Sequence, residues 1–143
     1  NTPHPPASTS VSMGCSPVGA GSAAVATPSP LSHVTAPPAD DTSDTAYLLA
    51  LDAALDTVFE RARPQLVIYL AGADPYAGDR LGRLGLSIAG LQARDARVLG
   101  ACRRAQVPVA IAMAGGYAEP IEDTVSIHFN TVITAARMLR HMS

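Results

Sequence analysis

The feature that most constrains this chain is a break in its composition near residue 40. Residues 1–40 hold eight of the twelve prolines, eleven Ser or Thr, a single Leu (Leu31), no Ile, no aromatic residue and one charge, Asp40. So few large apolar groups cannot bury enough surface to offset the entropy of ordering a chain. The prolines also interrupt any ladder of backbone hydrogen bonds. Whatever folds must therefore be built from the remainder, which leaves room for one domain at most.

The chain divides accordingly into residues 1–43, a low-complexity segment read as disordered or as a frameshifted stretch of GC-rich coding sequence, and residues 44–143, an ordered segment. The frameshift reading draws on the Pro/Ser/Ala/Thr-rich, Lys-free character of the first segment and on the abruptness of the break. Three patches in the first segment carry no chemistry. Gly19-Ala20-Gly21-Ser22-Ala23-Ala24 matches a dinucleotide-binding pattern on paper, but Pro17 before it and Pro28 and Pro30 after it deny it a strand and a helix. Ser12-Met13-Gly14-Cys15 lacks the apolar run of a lipidation signal. His4 and His33 have no ligand partners at a useful spacing.

The second segment alternates helical and strand patterns. Leu48, Leu51, Leu55, Val58 and Phe59 recur at helical spacing and predict a helix over 44–62, with Asp44 as a candidate cap and Pro64 as its stop. The continuous apolar run over 66–71 predicts a strand buried on both faces, as in a parallel sheet. A glycine-punctuated loop follows from Gly72 to about Leu86. Ser87 then opens a helix carrying Ile88, Leu91, Val98, Leu99 and Cys102 on its apolar face. Residues 107–113 form a second short strand. The third helix follows Tyr117, with Ile121, Val125, His128, Val132, Ala136 and Leu139 on one face. Strands alternating with helices imply an α/β fold with a parallel sheet and crossover connections. Two parallel strands need neighbours, so this segment reads as the end of a larger sheet and the chain as a fragment.

A net charge of −2 excludes a strongly basic nucleic-acid-binding domain. No apolar run reaches the roughly 18 residues that span a bilayer, and two cysteines, Cys15 and Cys102, do not make a disulfide scaffold. No nucleic acid or membrane partner is expected, and the expected compartment is the cytoplasm.

Ligands of open parallel sheets bind beyond the carboxyl ends of the strands. Asp74, three residues past the first strand, can hold a cation or act as a base there, or can simply be a turn residue before Pro75. Tyr117 follows Gly115 and Gly116, whose missing side chains permit close approach. Its phenol can donate to a developing oxyanion, or its ring can pack under a tight turn. Asp79 reads as a partner of Arg80 or of loop amides, His128 as a core histidine with one hydrogen bond, and Cys102 as a buried thiol. The arginines ending the helices (Arg103, Arg104, Arg137, Arg140) suit the helix dipole.

The run Gly72-Ala73-Asp74, four residues, then Asp79-Arg80-Leu81-Gly82, followed by Gly115-Gly116-Tyr117, resembles the C-terminal part of the histone deacetylase superfamily. Together with Arg94-Asp95 it looks most like class IV and bacterial deacetylase-like members. The likeness covers the segment from about residue 44 and none of the first 40. It implies an arginase-like three-layer fold with a parallel sheet, one catalytic zinc, and hydrolysis of the acetyl amide of acetyl-lysine or a related acetylamine. By the same resemblance Asp74 matches a zinc ligand, Tyr117 the oxyanion donor, and Leu81, with Gly115 and Gly116, the substrate tunnel. The family's His-His pair and its Asp-x-His ligands have no counterpart in this sequence. The chain alone is therefore expected to be inactive, because one carboxylate does not hold a catalytic zinc. Two other readings stand beside this one: an arginase-like metal hydrolase fragment, which would need further Asp and His ligands, and a non-catalytic remnant or binding module.

Overall fold

A computed structural model describes residues 42–140. The expected disorder or frameshift in the first segment falls almost wholly outside them. The elements run α1 (Asp44–Ala62), β1 (Val67–Ala71), α2 (Ile88–Arg104), β2 (Val109–Met113) and α3 (Ile121–Arg140), the order predicted from the alternating patterns. β1 and β2 pair in parallel, from Val67 opposite Val109 to Ala71 opposite Met113. α2 is the crossover and packs against both α1 and α3.

Local chemistry explains the boundaries. Ser43, not Asp44, caps α1, its hydroxyl accepting from the Ala46 amide. Asp44 lies in the first turn, and its carboxylate instead accepts from the Ser87 amide at 2.8 Å and the Ser87 hydroxyl at 2.5 Å. Ser87 in turn caps α2 through the Gly90 amide, so one carboxylate ties the starts of two helices. Gly90 is required by this approach, since a Cβ there would sit 2.1 Å from the Asp44 carboxylate.

α2 closes on Gln106, whose φ of 55° is left-handed. The Val107 amide donates to the Cys102 carbonyl and the Gln106 amide to that of Arg103. Glycine is favoured at this place, because a side chain in the left-handed region is strained. Gln106→Gly should therefore stabilise the chain by about 1 kcal/mol. The check is a higher urea midpoint with an unchanged denaturation slope.

The core forms two clusters. One gathers Tyr47, Ala73, Leu84, Leu86, Leu91 and Ile127. The other joins Leu55, Tyr69, Ala71, Val98, Leu99 and Ala101, with Val109, Ile111, Ala135 and Met138 packed against it. All three helices thus cover the same face of the sheet. Two expectations are corrected here. β1 is buried on one face only: Val67, Tyr69 and Ala71 are inside, while Ile68 and Leu70 are 46% and 37% exposed. The apolar stripe assigned to α3 also faces outward: Ile121, Val125, Val132 and Leu139 are exposed, and the helix buries Thr124, Ile127, Thr131 and Thr134. Among the described residues no helix is long and apolar enough to cross a membrane.

Candidate active site

The carboxyl ends of the two parallel strands lead into two loops that meet. Beyond the last register pair, the Ala73 amide donates to the Gly115 carbonyl at 2.7 Å. The Asp74 side chain lies between the strand ends. A Cβ built on Gly72 would come within 2.7 Å of its Oδ2, and one on Gly115 within 2.7 Å of its Oδ1. Glycine at both places is thus what lets two backbones flank this carboxylate. Asp74 is half-buried, and its oxygens accept no hydrogen bond from the described residues.

The loop from Gly72 to Leu86 is ordered by its own backbone. The Tyr76 amide donates to the Ala73 carbonyl, that of Asp79 to the Tyr76 carbonyl, and Tyr76 bridges in parallel to Leu86. The Tyr76 phenol donates to Asp123 Oδ2 at 2.7 Å, which fastens the loop to α3 and raises the phenol pKa. Asp79 is buried, and its carboxylate accepts from the amides of Leu81, Gly82 and Tyr117. Arg80 pairs with Glu119, not Asp79, at a loose 3.7 Å between exposed side chains, a contact worth little.

Leu81 and Tyr117 line one open cleft of about 550 Å³ with Arg80, Ala118, Glu119 and Ile121. They are 68% and 58% exposed, so Tyr117 does not pack under its turn. Gly116 sits where a Cβ would come within 2.8 Å of both Ala73 and Thr124. The structure therefore brings together Asp74, Gly115 and Gly116 on one side, and Leu81 and Tyr117 in one cleft. Among the described residues no group of three His, Cys, Asp or Glu is placed to hold a metal. Asp74 fits as one donor of such a set and does not complete it.

A model of the histone deacetylase domain matches residues 17–132. The chain belongs to the histone deacetylase family. The match reaches back to residue 17, earlier than the motifs alone had placed it. An uncharacterized protein of Picosynechococcus sp. is 42% identical over 85 residues, which cover 59% of this chain and 28% of that protein. Histone deacetylase 2 of Arabidopsis thaliana is 41% identical over 71 residues, 50% of this chain and 18% of the relative. The chain thus spans less than a third of the length of these relatives. The described segment, α/β with a parallel sheet, agrees with the C-terminal part of the deacetylase fold.

Sequence reasoning missed one buried network and misjudged one histidine. Arg94 and Asp95 are 1% and 0% exposed. Asp95 Oδ1 accepts from the Arg94 guanidinium at 2.9 and 3.0 Å and from the Tyr69 hydroxyl, and Oδ2 accepts from the Thr131 hydroxyl at 2.5 Å. Arg94 also donates to the Gly72 carbonyl at 2.7 Å, so the network holds the backbone just before Asp74. Burial pushes the Tyr69 phenol far above its usual pKa. The signal was present in the sequence: Arg94 and Asp95 fall at core-facing places in the series Leu91, Val98, Leu99, Cys102. His128 is only half-buried, and its Nδ1 lacks the expected hydrogen bond among the described residues. Cys102 is buried with its thiol pKa raised by desolvation, as a core thiol should be.

Proposed function

We propose that this chain supplies one wall of a zinc-dependent deacetylase site acting on acetyl-lysine or a related acetylamine. The observation that carries the reading is the meeting of the Asp74 carboxylate with the loop that bears Tyr117. Asp74 is the chain's share of the ligand set. Its oxygens carry no hydrogen bond from the described residues and lie against the backbone of Gly72 and Gly115. Zinc, when bound, polarises the amide carbonyl and lowers the pKa of its water. Tyr117 donates its phenolic proton as a hydrogen bond to the carbonyl oxygen as negative charge develops there. Leu81, exposed beside it in the cleft, packs against the methylenes of the acyl-amine arm and excludes water.

The other ligands and the proton-transferring His pair do not occur in this sequence, so the chain by itself is inactive. The test compares a complete deacetylase domain carrying this stretch with the isolated chain on an acetyl-lysine peptide. The expected result is release of acetate by the complete domain, its loss on chelation, its return with zinc, and no release by the isolated chain. Turnover that survives exhaustive chelation would sink the zinc reading. Zinc-dependent turnover by the isolated chain would sink the claim that it is one part of a site.

A further inference from the structure

Asp79 is the residue whose contacts outrun its expected role. It is 9% exposed, and each oxygen of its carboxylate serves a different loop. Oδ1 accepts from the Leu81 amide at 2.8 Å and the Gly82 amide at 2.7 Å, within its own loop. Oδ2 accepts from the Tyr117 amide at 2.5 Å, across a separation of 38 residues. Around this bridge the Arg80 amide donates to the Tyr117 carbonyl at 3.2 Å, and the Glu119 amide to the Gly78 carbonyl at 3.3 Å. Asp79 itself stands opposite Ala118 in a short antiparallel bridge. The two loops leave parallel strands that stop pairing at Ala71 and Met113, so this clamp is what joins their outer parts.

The side chain it governs has little else to hold it. Tyr117 is mostly exposed, and its phenol has no hydrogen-bond partner among the described residues. Its backbone therefore sets the point from which the ring's rotamers reach into the cleft. We propose that Asp79 is a positioning residue: it fixes the backbone of Tyr117 against Leu81 and the Asp74 loop, and so sets where the phenol meets the acyl group. This rests on the reading of Tyr117 as the oxyanion donor. The chemistry requires a carboxylate, which accepts at both oxygens; a carboxamide accepts at one and offers N–H donors at the other. In Asp79→Asn the amide can keep Leu81 and Gly82 but then turns a donor toward the Tyr117 amide, and the clamp opens selectively.

In a complete, zinc-loaded deacetylase domain, Asp79→Asn should lower kcat about 10- to 100-fold, with zinc content unchanged. Added to Tyr117→Phe, the same substitution should cause no further loss, because both act through one hydroxyl. A merely structural role would give an additional loss in that background, and this outcome overturns the proposal. Full turnover in Asp79→Asn with turnover lost in Tyr117→Phe overturns the positioning role alone. Full turnover in Tyr117→Phe overturns the oxyanion reading, and the positioning role with it. One measurement needs no substitution. In the isotope-labelled native chain the Tyr117 amide proton should resonate downfield and exchange slowly despite the exposure of its side chain. Fast exchange at an unshifted position overturns the clamp directly.

Discussion

Tyr117→Phe, made in a complete zinc-loaded deacetylase domain, is expected to lower kcat by about 10²- to 10³-fold while zinc content and the melting temperature stay as they were. The ring is largely solvent-exposed and its hydroxyl has no partner among the described residues, so the fold loses no hydrogen bond when the oxygen goes. Phenylalanine also keeps the backbone amide that Asp79 holds, so the loop stays where it is. What disappears is one O–H on a side chain that lines the cleft together with Leu81. If that group stabilises charge on the carbonyl oxygen only as the tetrahedral intermediate forms, its loss appears in kcat and little in KM. Asp74→Ala provides the contrast: it removes a carboxylate that Gly72 and Gly115 crowd without hydrogen-bonding, and turnover and bound zinc should fall together. Should Tyr117→Phe turn over acetyl-lysine peptide at the native rate, the phenol has no part in the chemistry.

The placement of Asp74 and Tyr117 was legible because it is local: both follow strands that continuous apolar runs announce, and the ends of parallel strands are where sites form. Leu81, Gly115 and Gly116 entered through the family resemblance, and the roles of all five are proposals. Which face each element buries was less legible. The run from Leu66 to Ala71 is apolar throughout, so it does not encode that α1, α2 and α3 all pack on the Tyr69 side and leave Ile68 and Leu70 exposed. In α3 the sequence offers two faces, and hydrophobicity favours the wrong one. Threonine is buried at little cost when its hydroxyl is bonded. Thr131 donates to Asp95 and to the Ile127 carbonyl, and Thr124 accepts from the Ala118 amide. The clamp from Asp79 to Tyr117 spans two loops that only the fold brings together, and no local spacing reports it.

The same distinction between local pattern and tertiary context makes Asp95 the residue whose loss the fold should feel most. Asp95→Ala is expected to destabilise the chain by about 3–5 kcal/mol, because it leaves the Arg94 guanidinium buried without its counter-charge. Arg94 is 1% exposed, and its remaining partners are the Gly72 carbonyl and the face of the Tyr69 ring, 5.8 Å from the guanidinium carbon to the ring centroid. Two further donors are affected at once: the Tyr69 hydroxyl loses its acceptor, and Thr131 falls back on the Ile127 carbonyl alone. For a folded segment of this size such a loss corresponds to a fall in melting temperature of more than about 10 °C. Removing both charges should be milder than removing one. Arg94→Met with Asp95→Leu replaces the pair by apolar groups of similar bulk and leaves no bare ion inside, so the double variant should melt above the Asp95→Ala single variant. That ordering is the decisive comparison. If the double variant melts lower, the pair stabilises by its own attraction and packing, and the cost of a stranded charge is not what holds Asp95 in place. The functional consequence is separable by the same series. Because Arg94 also holds the Gly72 carbonyl two residues before Asp74, the double variant should keep the fold yet loosen the Asp74 loop, lowering zinc affinity in the complete domain without unfolding it.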